Sequence, residues 1–80
     1  MSTQKLTNIS IKEYRKFLTN CGCKQIRISG GHEMWTRSDL FRPITFQTHI
    51  DPVPERIIKQ ALRVLGINDK KVFFEILNKK

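Results

Sequence analysis

The chain has little acid, little cysteine and no long apolar run, and each shortage excludes something. Seven Asp and Glu face fifteen Lys and Arg, giving a formal net charge of +8 over 80 residues and a pI near 10.0. A surface so poor in negative charge attracts polyanions: RNA, DNA, an anionic membrane or an acidic protein. The two cysteines, Cys21 and Cys23, lie too close in sequence to staple a fold, which argues against a disulfide scaffold. No apolar stretch is long enough to span a bilayer. The first ten residues lack the apolar core of a secretory signal. The expectation is therefore a cytoplasmic protein with reduced thiols and no membrane partner. Internal repeats, low-complexity tracts and a second domain are also missing.

What remains is the composition of one small folded domain. A 39% hydrophobic and 28% charged chain is apolar enough to fold rather than stay disordered, although so short a chain buries only a small core. Residues 1–9 are expected to form a flexible arm ahead of a single domain over residues 10–80. Ser10 and Glu13 have the spacing of a helix-starting capping box, flanked by Ile9 and Tyr14 as a hydrophobic staple. Tyr14, Phe17, Leu18 and Cys21 recur at helical spacing, and Gly22 is placed to end the helix. Cys23–Ser29 alternates as a strand, with Ile26 and Ile28 set against Gln25, Arg27 and Ser29.

Gly30-Gly31 then reads as a hairpin turn into a strand from His32 to Arg37. Parity puts His32, Met34 and Thr36 on one face and Glu33, Trp35 and Arg37 on the other. Pro43 opens a third strand, Ile44–Thr48. After the loop from His49 to Pro54, the residues Ile57, Ile58, Ala61, Leu62 and Leu65 mark a second helix ended by Gly66. Arg56, Lys59 and Arg63 share its other side. Asn68 is the expected cap of a last helix, with Val72, Phe73, Ile76 and Leu77 inward. The order α-β-β-β-α-α implies an α+β fold: a three-stranded antiparallel sheet with its helices on one face.

Gly30-Gly31-His32 is the segment richest in chemistry. Glycines permit a sharp turn or a close approach by a partner, and an imidazole titrates near neutrality. His32 is either a polar residue bonded to nearby backbone or a general acid/base acting on RNA. His49 either orients its loop or supplies the second proton transfer that RNA transesterification needs. Cys21, Cys23, His32 and His49 are zinc donor types, but their spacing matches no familiar finger or ribbon, so no metal site is expected. Lys12, Lys16, Arg27, Arg37, Arg42, Lys59 and Arg63 are the candidate phosphate contacts. Trp35 is open to two readings, a core residue or an exposed stacking platform.

The run Gly30-Gly31-His32-Glu33-Met34-Trp35, then Pro43-Ile44-Thr45-Phe46-Gln47-Thr48-His49 and the helix from Ile57 to Gly66, resembles the HicA toxin family. The resemblance spans about Ser10 to Leu77. In that family a Gly-Ser-His turn joins two strands, and a third strand ends near a second histidine. Gly31 stands here where the family has serine, and Gln47 where proline is common. The resemblance implies a double-stranded-RNA-binding-domain-like fold. It implies an mRNA endoribonuclease of a type II toxin–antitoxin system, with His32 catalytic and a HicB-type antitoxin as partner. No metal or small-molecule cofactor is expected. The competing reading is a non-catalytic RNA-binding module of the same fold.

Overall fold

Local signals account for most of the element boundaries in the computed structural model, which describes residues 6–78. Helix α1 (Ile11–Asn20) begins at the expected capping box. Ser10 Oγ accepts from the Glu13 N–H, and Glu13 Oε1 accepts from the Ser10 N–H, both at 3.0 Å. Such caps typically stabilise a helix by ~1 kcal/mol. At the other end Gly22 takes a φ of 86°. That left-handed turn lets the Gly22 and Cys23 N–H groups bond back to the Thr19 and Leu18 carbonyls, the double bond of a Schellman ending.

Strands β1 (Lys24–Ser29), β2 (His32–Thr36) and β3 (Ile44–Gln47) form one antiparallel sheet in the order β1-β2-β3. Helices α2 (Glu55–Leu65) and α3 (Lys70–Leu77) follow. The α-β-β-β-α-α order and the α+β class are those expected. Burial alternates along β2 and β3: Glu33, Trp35, Ile44 and Phe46 are buried, whereas His32, Thr45 and Gln47 are exposed. One face of the sheet therefore lies on the helical layer and the other is open. Trp35 belongs to the core, which settles its two readings.

Aromatic contacts join the layers. Tyr14 of α1 meets Phe46 of β3 edge to face at 4.8 Å, and Phe17 meets Phe73 of α3 at 4.4 Å. The Asn20 amide donates to the Ile76 carbonyl at 2.8 Å, tying the end of α1 to α3. Ile58, Ala61 and Leu62 bring α2 into the same core.

Several expectations need correction. The arm was expected to be flexible through residue 9, but Leu6 and Ile9 are core residues at 2% and 5% exposure. The Val53 N–H also bonds the Ile9 carbonyl at 2.8 Å, so packing begins no later than Leu6; residues 1–5 of that arm lie outside the described residues. The alternation expected along the first strand fails. Gln25 pairs with Trp35 and Arg27 with Met34, leaving Ile26 as an extra residue in a bulge. Every residue of β1 is exposed, Ile26 by 54% and Ile28 by 58%, because this edge strand projects past the helices. Asp69, not Asn68, caps α3 by accepting from the Lys71 N–H at 2.9 Å. Val64 joins the buried side of α2.

Candidate functional site

Ser29 and His32 form the last pair of the β1–β2 ladder, so Gly30-Gly31 is a two-residue hairpin loop. Both glycines have positive φ, 58° and 81°, which a type I′ connection requires and which a side chain would strain. The turn delivers His32 to the first position of β2, exposed on the open face of the sheet. Its Nδ1 lies 3.3 Å from the Gly30 carbonyl, which favours the Nδ1–H tautomer and leaves Nε2 free to accept a proton.

The second histidine arrives at the same turn from β3. The Thr48 N–H and hydroxyl both donate to the Gly31 carbonyl, at 2.8 and 3.2 Å. They hold the end of β3 against the hairpin tip. The His49 ring lies over Gly31 so closely that a Cβ there would stand 3.3 Å from Nδ1 and 3.5 Å from Cε1. The absence of a side chain at position 31 therefore makes room for His49.

A cleft of about 220 Å³ opens beside His32, between the edge of β3 and the start of α2. Thr45 and Gln47 line the strand side, Ile50, Pro54 and Ile57 form an apolar wall, and Arg56 faces in from the first turn of α2. Arg56 has no hydrogen-bond or ion-pair partner among the described residues; the neighbouring Glu55 carboxylate is paired with Lys59 at 3.5 Å. Arg56 was not among the expected phosphate contacts. In sequence it reads as one more cation on the polar side of a helix, and only the docking of α2 along β3 brings it to His32.

The expected contacts do not share one surface. Arg27 pairs with Met34 and so lies on the open face with His32. Lys12 and Lys16 are exposed on α1, across the sheet from that face. Arg42 lies in the β2–β3 connection, its guanidinium 5.7 Å from the centre of the exposed Phe41 ring. Lys59 and Arg63 border a separate hollow with Leu62 and Lys70. Arg37 is committed internally. It pairs with Asp39 at 2.6 and 3.0 Å and donates to the Cys21 carbonyl at 2.6 Å, so it is withdrawn from the candidate contacts.

Glu33, adjacent to His32 but on the inner face, is the polar residue whose role sequence reading missed. It is fully buried. Its carboxylate accepts a bidentate pair from Arg15 of α1, with Nε at 3.0 and 3.2 Å and Nη2 closing the second contact. The Gln25 amide and the Trp35 indole N–H donate at 2.9 and 3.0 Å. Burial pushes the Glu33 carboxyl up, but the donors from Arg15, Trp35 and Gln25 outweigh it and hold the group below the usual carboxylate range. Opposite parity keeps this charge on the helix side of the sheet, so Glu33 is an anchor rather than a partner of His32.

The cysteines lie at the start of β1 and the histidines beyond its far end, a separation of about 20 Å at strand rise. Burial also pushes the Cys23 thiol up, which disfavours a reactive thiolate. Among the described residues, no three His, Cys, Asp or Glu side chains are grouped to hold a metal, and no helix is long and apolar enough to cross a membrane. Compared with protein-family models, curated proteins and solved structures, the chain matches none.

Proposed function

We propose that this protein is a cytoplasmic HicA-like toxin, an mRNA endoribonuclease that uses His32 as its acid/base and is neutralised by a HicB-type antitoxin. One observation carries this reading. The glycine hairpin holds an exposed imidazole at the mouth of a cleft that also receives an arginine with no partner among the described residues, on a chain of net charge +8. An imidazole suits proton transfer near neutral pH, and a cation beside it suits a phosphodiester.

The chemistry follows from those groups. Neutral His32 Nε2 takes the proton of an RNA 2′-hydroxyl, and the freed oxygen attacks the adjacent phosphorus. The bond from phosphorus to the 5′-oxygen breaks, leaving a 2′,3′-cyclic phosphate. The departing 5′-oxygen takes a proton and leaves as a 5′-hydroxyl; the donor is protonated His49, His32 in the protonated form left by the first step, or water. DNA lacks the 2′-hydroxyl and resists cleavage.

The test is expression in bacteria of the wild type and of His32→Ala without any antitoxin, following growth and RNA integrity. Growth arrest with fragmented RNA in the wild type alone is expected. Equal growth and intact RNA in both would leave the non-catalytic RNA-binding module as the better reading. Toxicity in both would remove His32 from the mechanism.

A further inference from the structure

Helix α2 runs antiparallel to β3 along its free edge, and the cleft beside His32 is one end of the groove between them. The other end is a hollow of about 280 Å³ lined by Arg42, Pro43, Ile44 and Gln60. Thr45 and Ile57 line both parts, so they adjoin. Arg42 therefore stands at one end of the groove, and Arg56 with His32 at the other. Among the described residues no acidic side chain lines either part. The separate hollow beyond α2 differs in this respect, since Asp69 contributes to its wall.

We infer that this groove is the track of a single RNA strand, with Arg56 holding the phosphate beside His32 and Arg42 a phosphate further along. The identity of the polyanion rests on the ribonuclease reading; the location and the roles of the two arginines rest on the groove itself. Three observations support the assignment. Among the described residues Arg56 is a guanidinium without an internal partner, and that group matches phosphate oxygens in a planar fork. Its apolar neighbours Ile50, Pro54 and Ile57 offer a surface to a base or sugar. Each part is also smaller than the ~300–1,000 Å³ typical of sites that enclose a whole small ligand. The groove suits one backbone threaded lengthwise. A duplex presents its bases paired and stacked, with no free strand to enter a channel between a strand and a helix.

The test uses the full chain and a fluorescent single-stranded 2′-O-methyl RNA oligonucleotide, which has no free 2′-hydroxyl to react. Binding is followed by anisotropy over a series of salt concentrations, and cleavage of the unmodified RNA is measured in parallel. Arg56→Gln is expected to weaken binding about tenfold or more, the scale of one charge-assisted phosphate contact. The salt dependence should fall by about 0.7 in logarithmic slope, one phosphate on a single strand. Arg56→Lys keeps the charge and should recover part of the loss. Lys71→Gln removes an exposed charge on α3, outside the groove, and should change binding by less than about twofold. Circular dichroism confirms that each variant is folded.

Arg56→Gln behaving like Lys71→Gln would overturn the assignment whether or not the wild type cleaves RNA. A wild type that binds with the expected Arg56 dependence but never cleaves would uphold the groove and defeat the nuclease reading instead. Tighter binding of the duplex form would refute a single-strand track. An oligoglutamate peptide that binds as tightly, with the same sensitivity to Arg56→Gln, would give the groove to an acidic polypeptide.

Discussion

Substituting Gln for Glu33 tests how the helical layer is attached to the sheet. The replacement conserves volume and can still accept from the Trp35 indole and the Gln25 amide. It removes the charge facing Arg15 and sets a donor amide against a donor guanidinium. Breaking a buried pair costs about 3–5 kcal/mol when the surviving charge stays buried. The Arg15 side chain is 43% exposed and rehydrates, so the expected loss is smaller, ~2 kcal/mol. For 80 residues a total stability of roughly 4–12 kcal/mol is ordinary, so this is a large share, and Tm should fall by roughly 10 °C.

Trp35, the single tryptophan, donates to Glu33 and reports the transition by its fluorescence in urea titrations. The pH dependence supplies the sharper check. The folded state holds the Glu33 carboxyl below its unfolded value. Its contribution is therefore fully present above the usual glutamate range and is lost as pH falls through the lower, folded value. The gap between wild type and Glu33→Gln should be wide at about pH 7 and should narrow as pH falls below the usual glutamate range. An unchanged urea midpoint at neutral pH, or a gap that stays constant on acidification, would refute the anchor role.

Two further substitutions test other parts of the structure. Gly31→Ser, which restores the side chain usual in the family it resembles, should destabilise the domain by about 1–2 kcal/mol through its left-handed backbone. It should also displace His49, visible as a shifted His49 imidazole resonance; an unmoved resonance would show that the ring does not depend on the glycine. Tyr14→Phe should raise stability by about 1 kcal/mol, because the Tyr14 hydroxyl is buried without a hydrogen-bond partner among the described residues and burial drives its pKa up. A lower urea midpoint for Tyr14→Phe would count against that reasoning.

Sequence alone was a good guide where structure depends on neighbours along the chain. The Ser10–Glu13 capping box, the glycine ends of α1 and α2, the Gly30-Gly31 hairpin and the two faces of β2 each depend on residues within a turn or a strand of one another. The same local reasoning gave out at β1. One bulged residue at Ile26 broke the alternation, and nothing local shows that this strand projects beyond its cover. Asn68 and Asp69 are both acceptable caps, and the choice between them is made by how the chain enters α3.

The site divides in the same way. Primary structure determined that a flexible turn presents an imidazole on a basic chain, because two adjacent glycines and a histidine are enough for that. Tertiary structure decided which groups meet it. His49 comes from 17 positions further on, over a Gly31 with no side chain in the way. Arg56 comes from a helix whose position is set by Ile58, Ala61 and Leu62 packing into the core. The cation that shares the cleft with the imidazole is thus chosen by where an apolar stripe docks. Such long-range packing leaves no mark in the spacing of the charged residues themselves.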